Sequence, residues 1–302
     1  MKKTIFGFAA LMSAVVLAAC GGGGTDTSGN NSGGNGNNKE ELTFPIATKN
    51  NDDAIEDGEL EAAVATDSQF KGLFQWEFYQ DSYDAAFMAP SHEPLFANDD
   101  DFRITDDGAA TLDLDEDTKK ATIKVKDNVK WSDGEDVTAD DVIFPYEIIG
   151  NKDYTGIRYD DTFRNIVGME EYHDGSADTI SGIKKIDDKT VEIEYKEVNP
   201  SMLQSGGGIW SYAAPKHTLE GVAIKDMESS DQVRKNPVTF GPYYMSNIVA
   251  GESVEYLPNE HYWNGTPKLK KITMKSVPMA SATEALNSKL YDMIFQMPTD
   301  TY

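Results

Sequence analysis

Between Ala121 and Gly150 the chain changes periodicity, and that change limits the fold more than any other feature of the sequence. Ala121, Ile123 and Val125 alternate with Thr122, Lys124 and Lys126, the pattern of a half-exposed strand, and Asp127-Asn128 then turns the chain toward Trp131. Asp133-Gly134 is a tight-turn pair. Thr138, with Asp141 three residues on, reads as a helix N-cap with an acidic group at the helix start. Val142, Ile143, Phe144, Ile148 and Ile149 continue the helix to Gly150, with Pro145 tolerable near the first turn though able to bend it. Further on, Ile180–Ile186 and Thr190–Tyr195 flank Asp187-Asp188 and alternate apolar with polar, which reads as a β-hairpin. Near the start, residues 59–66 lack clean alternation, yet Leu60, Ala63, Val64 and Ala65 suggest a buried strand. The aromatics from Phe70 to Phe87 (Phe74, Trp76, Phe78, Tyr79 and Tyr83 between them) read mainly as core, with one or two rings free to line a pocket. Strands interleaved with helices in this way indicate a mixed α/β body.

Charge narrows the partners. With 52 acidic against 27 basic residues the formal net charge is −25, and no basic patch interrupts it. Such a surface repels phosphate backbones and anionic headgroups, so nucleic acid is not an expected partner. Apolar residues make up 39% of the sequence, enough for a sizeable core, and the single cysteine rules out an internal disulfide framework.

That cysteine has another use. Lys2 and Lys3 open an uncharged run from Thr4 to Val16, too short to span a ~30 Å hydrocarbon core and followed by Leu17-Ala18-Ala19-Cys20. Residues 1–19 therefore read as a signal peptide and Cys20 as the lipidated residue of a bacterial lipoprotein, anchored on the extracellular face of the cell membrane, with a Gram-positive cell expected. Residues 20–41 are the lipidated cysteine and its linker. The Gly/Asn-rich part from 21 to 38 has no apolar side chain and reads as a flexible leash with a reach of roughly 25 Å.

Signatures of catalysis are missing. His92, His173, His217 and His261 are scattered without metal-ligand spacing, and the sequence contains neither a Gly-x-Ser-x-Gly elbow nor a Gly-Lys-Ser/Thr phosphate loop. No enzyme activity, cofactor or metal is expected. Asp113, Asp115 and Asp117 resemble the first ligands of a calcium loop, but its turn glycine and distal Glu are lacking. Gly206-Gly207-Gly208 before Trp210 has two readings, a loop that lets another backbone approach or a flexible loop capped by a core Trp, and local physics does not choose between them.

Three stretches carry a family resemblance: Trp131-Ser132-Asp133-Gly134-Glu135-Asp136-Val137-Thr138-Ala139-Asp140-Asp141-Val142, then Asn236 to Tyr244, then Leu257 to Leu269 with Tyr262-Trp263-Asn264-Gly265 at its centre. Together they are similar to the peptide- and nickel-type solute-binding proteins of ABC importers. Ala65-Thr66-Asp67-Ser68, Asn151 to Gly156 and Ser201 to Tyr212 resemble most the oligopeptide-binding lipoproteins of lactic-acid and related Gram-positive bacteria.

The resemblance implies a periplasmic-binding-protein-like α/β fold of class II, the three-lobed peptide-binding type. By analogy residues 42–85 and 206–276 form lobe I, residues 86–205 an inserted lobe II, and residues 277–302 the start of a third lobe. Because the family continues beyond that point, a chain ending at Tyr302 is expected to be C-terminally truncated. The resemblance further implies a monomer that captures oligopeptides for an ABC permease. Contacts are expected from Ser68, Phe70, Tyr154, Gly206, Gly207, Gly208, Trp210, Tyr243 and Tyr244. A receptor for a signalling peptide or a non-peptide solute, a surface hydrolase, and an adhesion lipoprotein remain as alternatives.

Overall fold

A computed structural model describes residues 57–297; Cys20, the leader and the linker lie outside them. The chain enters on β1 (Glu59–Ala65), passes through a helix at Ser82–Met88, and forms two short paired strands, β2 (Ala97–Asn98) and β3 (Ile104–Thr105). Next come β4 (Ala110–Asp115) and β5 (Lys120–Val125), the helix Ala139–Gly150, and the hairpin of β6 (Ile183–Lys185) and β7 (Thr190–Glu194). The return path contributes β8 (Tyr243–Val249), β9 (Ser253–Pro258), β10 (Lys271–Val277), a helix at Met279–Asn287 and β11 (Met293–Phe295).

Two principal sheets result. One is antiparallel with order β4-β5-β7-β6; the other has order β11-β1-β10-β9-β8. Within the second sheet β1 runs parallel to both neighbours, pairing Leu60 with Ile272 and Ala63 with Ile294, while β8, β9 and β10 are antiparallel. The central position of β1 explains why its sequence does not alternate. Ala62, Ala63, Val64 and Ala65 are all buried, because a parallel strand with both faces covered has no polar side. β5 is the opposite case: Ala121, Ile123 and Val125 are fully buried while the intervening residues reach solvent, as alternation requires. Its inner face packs under the helix Ala139–Gly150, in a core with Val142, Tyr146, Ile149, Val191 and Ile193. A separate core beneath the other sheet holds Phe70, Phe74, Phe87, Met88, Tyr243 and Tyr256.

Pro145 is accommodated by a substitution of donors. It stands in the second turn of its helix, where it cannot donate to the carbonyl of Asp141. That carbonyl instead accepts the N–H of Ala214 at 3.0 Å, so the gap in the helical ladder becomes a tertiary tie. The Asp141 side chain adds more. Its Oδ2 accepts from the Thr138 N–H (2.8 Å), the Thr138 hydroxyl (2.9 Å) and the Trp131 indole (3.3 Å), and its Oδ1 accepts from the Lys216 N–H (2.9 Å).

The three stretches noted in the sequence meet in space. Ser132 N–H donates to the Thr239 carbonyl at 2.7 Å, and the Trp131 and Phe240 rings lie 5.4 Å apart, joining the first stretch to the second. Asn259 joins the second to the third, its Nδ2 donating to the Gly241 carbonyl at 2.9 Å. Asn128 Nδ2 donates to the Trp263 carbonyl, and the Trp263 indole donates to Glu93. These residues act as architecture. Asp115, read as a possible cation ligand, caps its own turn by accepting from the Asp117 and Thr118 N–H groups, and among the described residues no cluster of three or more His, Cys, Asp or Glu side chains could hold a metal ion.

Candidate functional site

The segment that follows β1 is folded by a buried carboxylate. Asp84 accepts from the N–H of Gly72 at 2.9 Å and of Leu73 at 3.4 Å, and Gly72 takes the positive φ of 72° that this turn needs. Burial, opposed by those N–H groups, pushes the Asp84 carboxyl up to about 6. The chain then makes a tight turn at residues 75–79, where the N–H groups of Phe78 and Tyr79 both donate to the Gln75 carbonyl. That turn presents Trp76, Glu77 and Tyr79 to two other segments.

One of them is the loop after the helix Ala139–Gly150. Tyr154 donates its hydroxyl to the Glu77 carbonyl, and its ring packs on Phe78 at 5.6 Å. Gly156 permits this because a Cβ there would lie 2.2 Å from the Tyr154 hydroxyl oxygen. Arg158 donates from Nη2 to the Tyr79 carbonyl at 3.1 Å and lies 4.1 Å above the Tyr79 ring. The other segment is Trp210–Tyr212. Tyr212 stacks on Trp76 at 4.2 Å with 20° between planes, Tyr79 meets Trp76 edge-on, and Trp210 packs edgewise on Tyr212 and against Phe163. Trp76, Tyr79, Trp210 and Tyr212 all retain some exposure.

At the centre of these rings lies Glu77, 1% exposed. Among the described residues neither carboxylate oxygen has a hydrogen-bond partner, and the Nε1 of Trp76, the Nε1 of Trp210 and the Nε of Arg158 are likewise buried without one. Burial pushes the Glu77 carboxyl up to about 7, only partly offset by its own backbone, the Trp210 indole and the Arg158 charge. Buried polar groups are ordinarily paired, so a carboxyl faced by the Trp210 indole without a formed hydrogen bond, beside the unpartnered Nε1 of Trp76 and Nε of Arg158, marks a junction suited to a polar ligand.

Among the expected contacts, Tyr154 and Trp210 are brought into this junction. Gly206, Gly207 and Gly208 form the loop leading into it. A Cβ on Gly207 would stand 1.7 Å from the Ser201 carbonyl oxygen, so the loop folds tightly back on the turn that precedes it. Substituting Gly207 by Ala is expected to cost about 1–3 kcal/mol, read as a lower urea midpoint with faster proteolysis at residues 203–209. Phe70 and Tyr243 are placed differently from the expectation. Phe70 is 3% exposed, 4.3 Å from Phe87, and Tyr243 is 4% exposed with its hydroxyl accepting from the Leu269 N–H, so both serve the core beneath the five-stranded sheet. Ser68 is exposed in a turn, its N–H donating to the Thr66 hydroxyl oxygen, and Tyr244 is half-buried on the opposite face of β8 from Tyr243. The sequence reading did not single out Glu77, Arg158 or Tyr212. Glu77 did leave a signal, as the only charged residue in the run from Phe74 to Tyr79.

Comparison with known proteins agrees with this architecture. Residues 103–302 match the profile of the bacterial extracellular solute-binding proteins, family 5. The oligopeptide-binding protein OppA of Lactococcus lactis subsp. lactis is 38% identical over 265 residues, covering 86% of this chain and 44% of the relative. The oligopeptide-binding protein AppA of Bacillus subtilis is 31% identical over 182 residues, covering 60% of this chain and 30% of the relative. Lactococcal OppA complexed with an endogenous peptide in the closed conformation superposes with a TM-score of 0.77 at 39% identity, over 80% of this chain and 46% of that one. The chain belongs to the family 5 bacterial extracellular solute-binding proteins, with the α/β fold of periplasmic peptide-binding proteins, and spans less than half the length of these relatives.

Proposed function

We propose that this chain is the receptor component of an ABC importer, capturing oligopeptides outside the cell and delivering them to a membrane permease without chemical change. The observation that supports it most is the aromatic junction around Glu77, where side-chain donors and an acceptor able to meet a peptide backbone sit among four rings. Peptide recognition draws on such groups, because backbone amides supply affinity while rings tolerate varied side chains. Tyr154, Trp210 and the Gly206–Gly208 loop, with Ser68 and Tyr244 nearer the five-stranded sheet, are the proposed contacts. The separation of the two sheets favours the division into lobe I (42–85 with 206–276) and an inserted lobe II (86–205), with 277–302, whose β11 pairs with β1, leading on toward a further lobe. Lipidation at Cys20, with its linker, would hold the monomeric receptor at the membrane surface and raise its effective concentration near the permease. The family match and 38% identity to oligopeptide-binding proteins favour this reading over a hydrolase or an adhesin.

The test is calorimetric titration of the chain with a mixed library of short peptides, followed by mass spectrometry of what is retained. Saturable binding with intact peptides recovered is expected. Cleaved peptides, or no peptide retained at any concentration, would overturn the proposal.

A further inference from the structure

The Glu77 junction has a charge character that peptide backbone recognition alone does not require. Its carboxylate is buried among indole and phenol rings, and both oxygens lack partners among the described residues. A buried carboxylate left unpaired is costly, and the groups that relieve it are cations. Aromatic faces favour the same guests, since the ring quadrupole attracts positive charge most strongly once water is excluded. The junction already shows that preference with a group of its own. The Arg158 guanidinium rests on the Tyr79 face at 4.1 Å and donates to the Tyr79 carbonyl, yet makes no ion pair with Glu77. Arg158 acts on the carboxylate only through space and the Trp210 indole faces it, so among the described residues no ion pair is formed on it. The direction of the Glu77 side chain is set from outside, because Tyr154 holds the Glu77 carbonyl and Arg158 the Tyr79 carbonyl two residues on. At long range, a net charge of −25 draws cationic ligands in and repels acidic ones.

We infer that Glu77, walled by Trp76, Tyr79 and Trp210, is a subsite for a positively charged group of the bound peptide, an ammonium or guanidinium, and makes the receptor selective for ligands that carry one there. This rests on the peptide-receptor reading above and names the ligand class. Trp76, Trp210 and Tyr212 retain partial exposure, so the ring cluster that covers the carboxylate reaches the surface. The groups that face Glu77 are Arg158 and Tyr154 from the loop after the helix, Tyr79 from its own turn, and Trp210 and Tyr212 from the irregular segment 210–212. Arg158 is the only cation among them.

The experiment is calorimetric titration of the full chain and its Glu77→Gln variant at pH 6.5, in two buffers of different ionisation enthalpy. The probes are two matched peptide pairs: free amine against N-acetylated, and Lys against norleucine at one position. Wild type is expected to bind the charged member of at least one pair roughly ten- to thirty-fold more tightly. It should release a proton on doing so, because a bound cation ionises a carboxyl that is largely protonated at that pH. In Glu77→Gln both the preference and the proton release should vanish. The pair that shows the effect identifies the α-ammonium or the side chain as the source. Equal preference in wild type and variant would overturn the inference and leave the receptor reading standing. Failure of wild type to bind any of the peptides would overturn the receptor reading itself. Should Glu77→Gln not fold, Glu77→Met, which fills the same space without polar oxygens, takes its place.

Discussion

Replacing Asp141 by Ala is expected to destabilise the protein by about 3–5 kcal/mol, measured as a lower urea midpoint with an unchanged denaturant slope. The carboxylate is 4% exposed and accepts four hydrogen bonds from three segments: Thr138 at the helix start, Trp131 across the tight turn, and Lys216 at the start of the short helix Lys216–Leu219. Truncation strands all four donors at once and removes a negative charge from the positive end of the helix dipole. Because Pro145 hands the Asp141 carbonyl to Ala214, the same residue ties the helix to the segment 214–216 through both main chain and side chain. Asp141→Asn separates the contributions. An amide oxygen in the Oδ2 position keeps the bonds from Thr138 and Trp131, but its NH2 group then faces the Lys216 N–H, donor against donor, and the cost should be about 1–3 kcal/mol. If both variants unfold at the wild-type midpoint, the signature stretch around Asp141 is not the tie that its hydrogen bonds describe.

Much of this arrangement was legible in the sequence wherever local chemistry and tertiary demand agree. Thr138 and Asp141 read as a capped helix start and form one, and Ala121, Ile123 and Val125 read as the buried face of a strand and are fully buried. β1 was legible for a different reason: its unbroken Ala62–Ala65 run fits a strand covered on both faces, but its parallel partners lie more than two hundred residues away and leave no local trace. The site was harder to read. Tyr243 and Phe70 have the same amphipathic or aromatic character as Tyr154 and Trp210, and only tertiary placement makes the first two core and the last two part of the junction. The motifs that reveal the family are mainly architecture, since Ser132 bonds to Thr239, Asn259 to Gly241 and Trp263 to Asn128 and Glu93, although Trp131 and Thr239 also line a small cavity with Trp76 and Glu93. Glu77 and Arg158 belong to no motif, and nothing in their spacing announces that an acid at 77 and a base at 158 share one cluster of rings.

A protein this acidic would ordinarily be expected to weaken as its carboxylates protonate, yet the buried groups predict stability that declines from mildly acidic pH toward pH 8. Burial raises Glu77 and Glu93 to about 7 and Asp84 to about 6, all above their unfolded values of 4.5, 4.5 and 3.8. Each therefore holds its proton more tightly folded than unfolded. The stability this contributes is fully present below the unfolded value and is lost as pH rises through the folded one. His92 acts in the opposite sense: burial lowers it to about 4, so unfolding takes up a proton between about 4 and 6.5 and stability rises with pH across that window. Three carboxyl groups outweigh one imidazole, and self-repulsion at a net charge of −25 acts in the same direction as the carboxyl groups. Glu77→Gln isolates one contribution, since it removes the ionisation while keeping the shape. Its stability should match wild type near pH 4.5 and exceed it by about 1–3 kcal/mol at pH 8, the two curves diverging mainly between pH 5 and 7. Parallel curves from pH 4.5 to 8 would mean that Glu77 ionises as freely folded as unfolded. Divergence would show a carboxylate kept at a cost to the fold in a junction where a ligand's positive charge can use it.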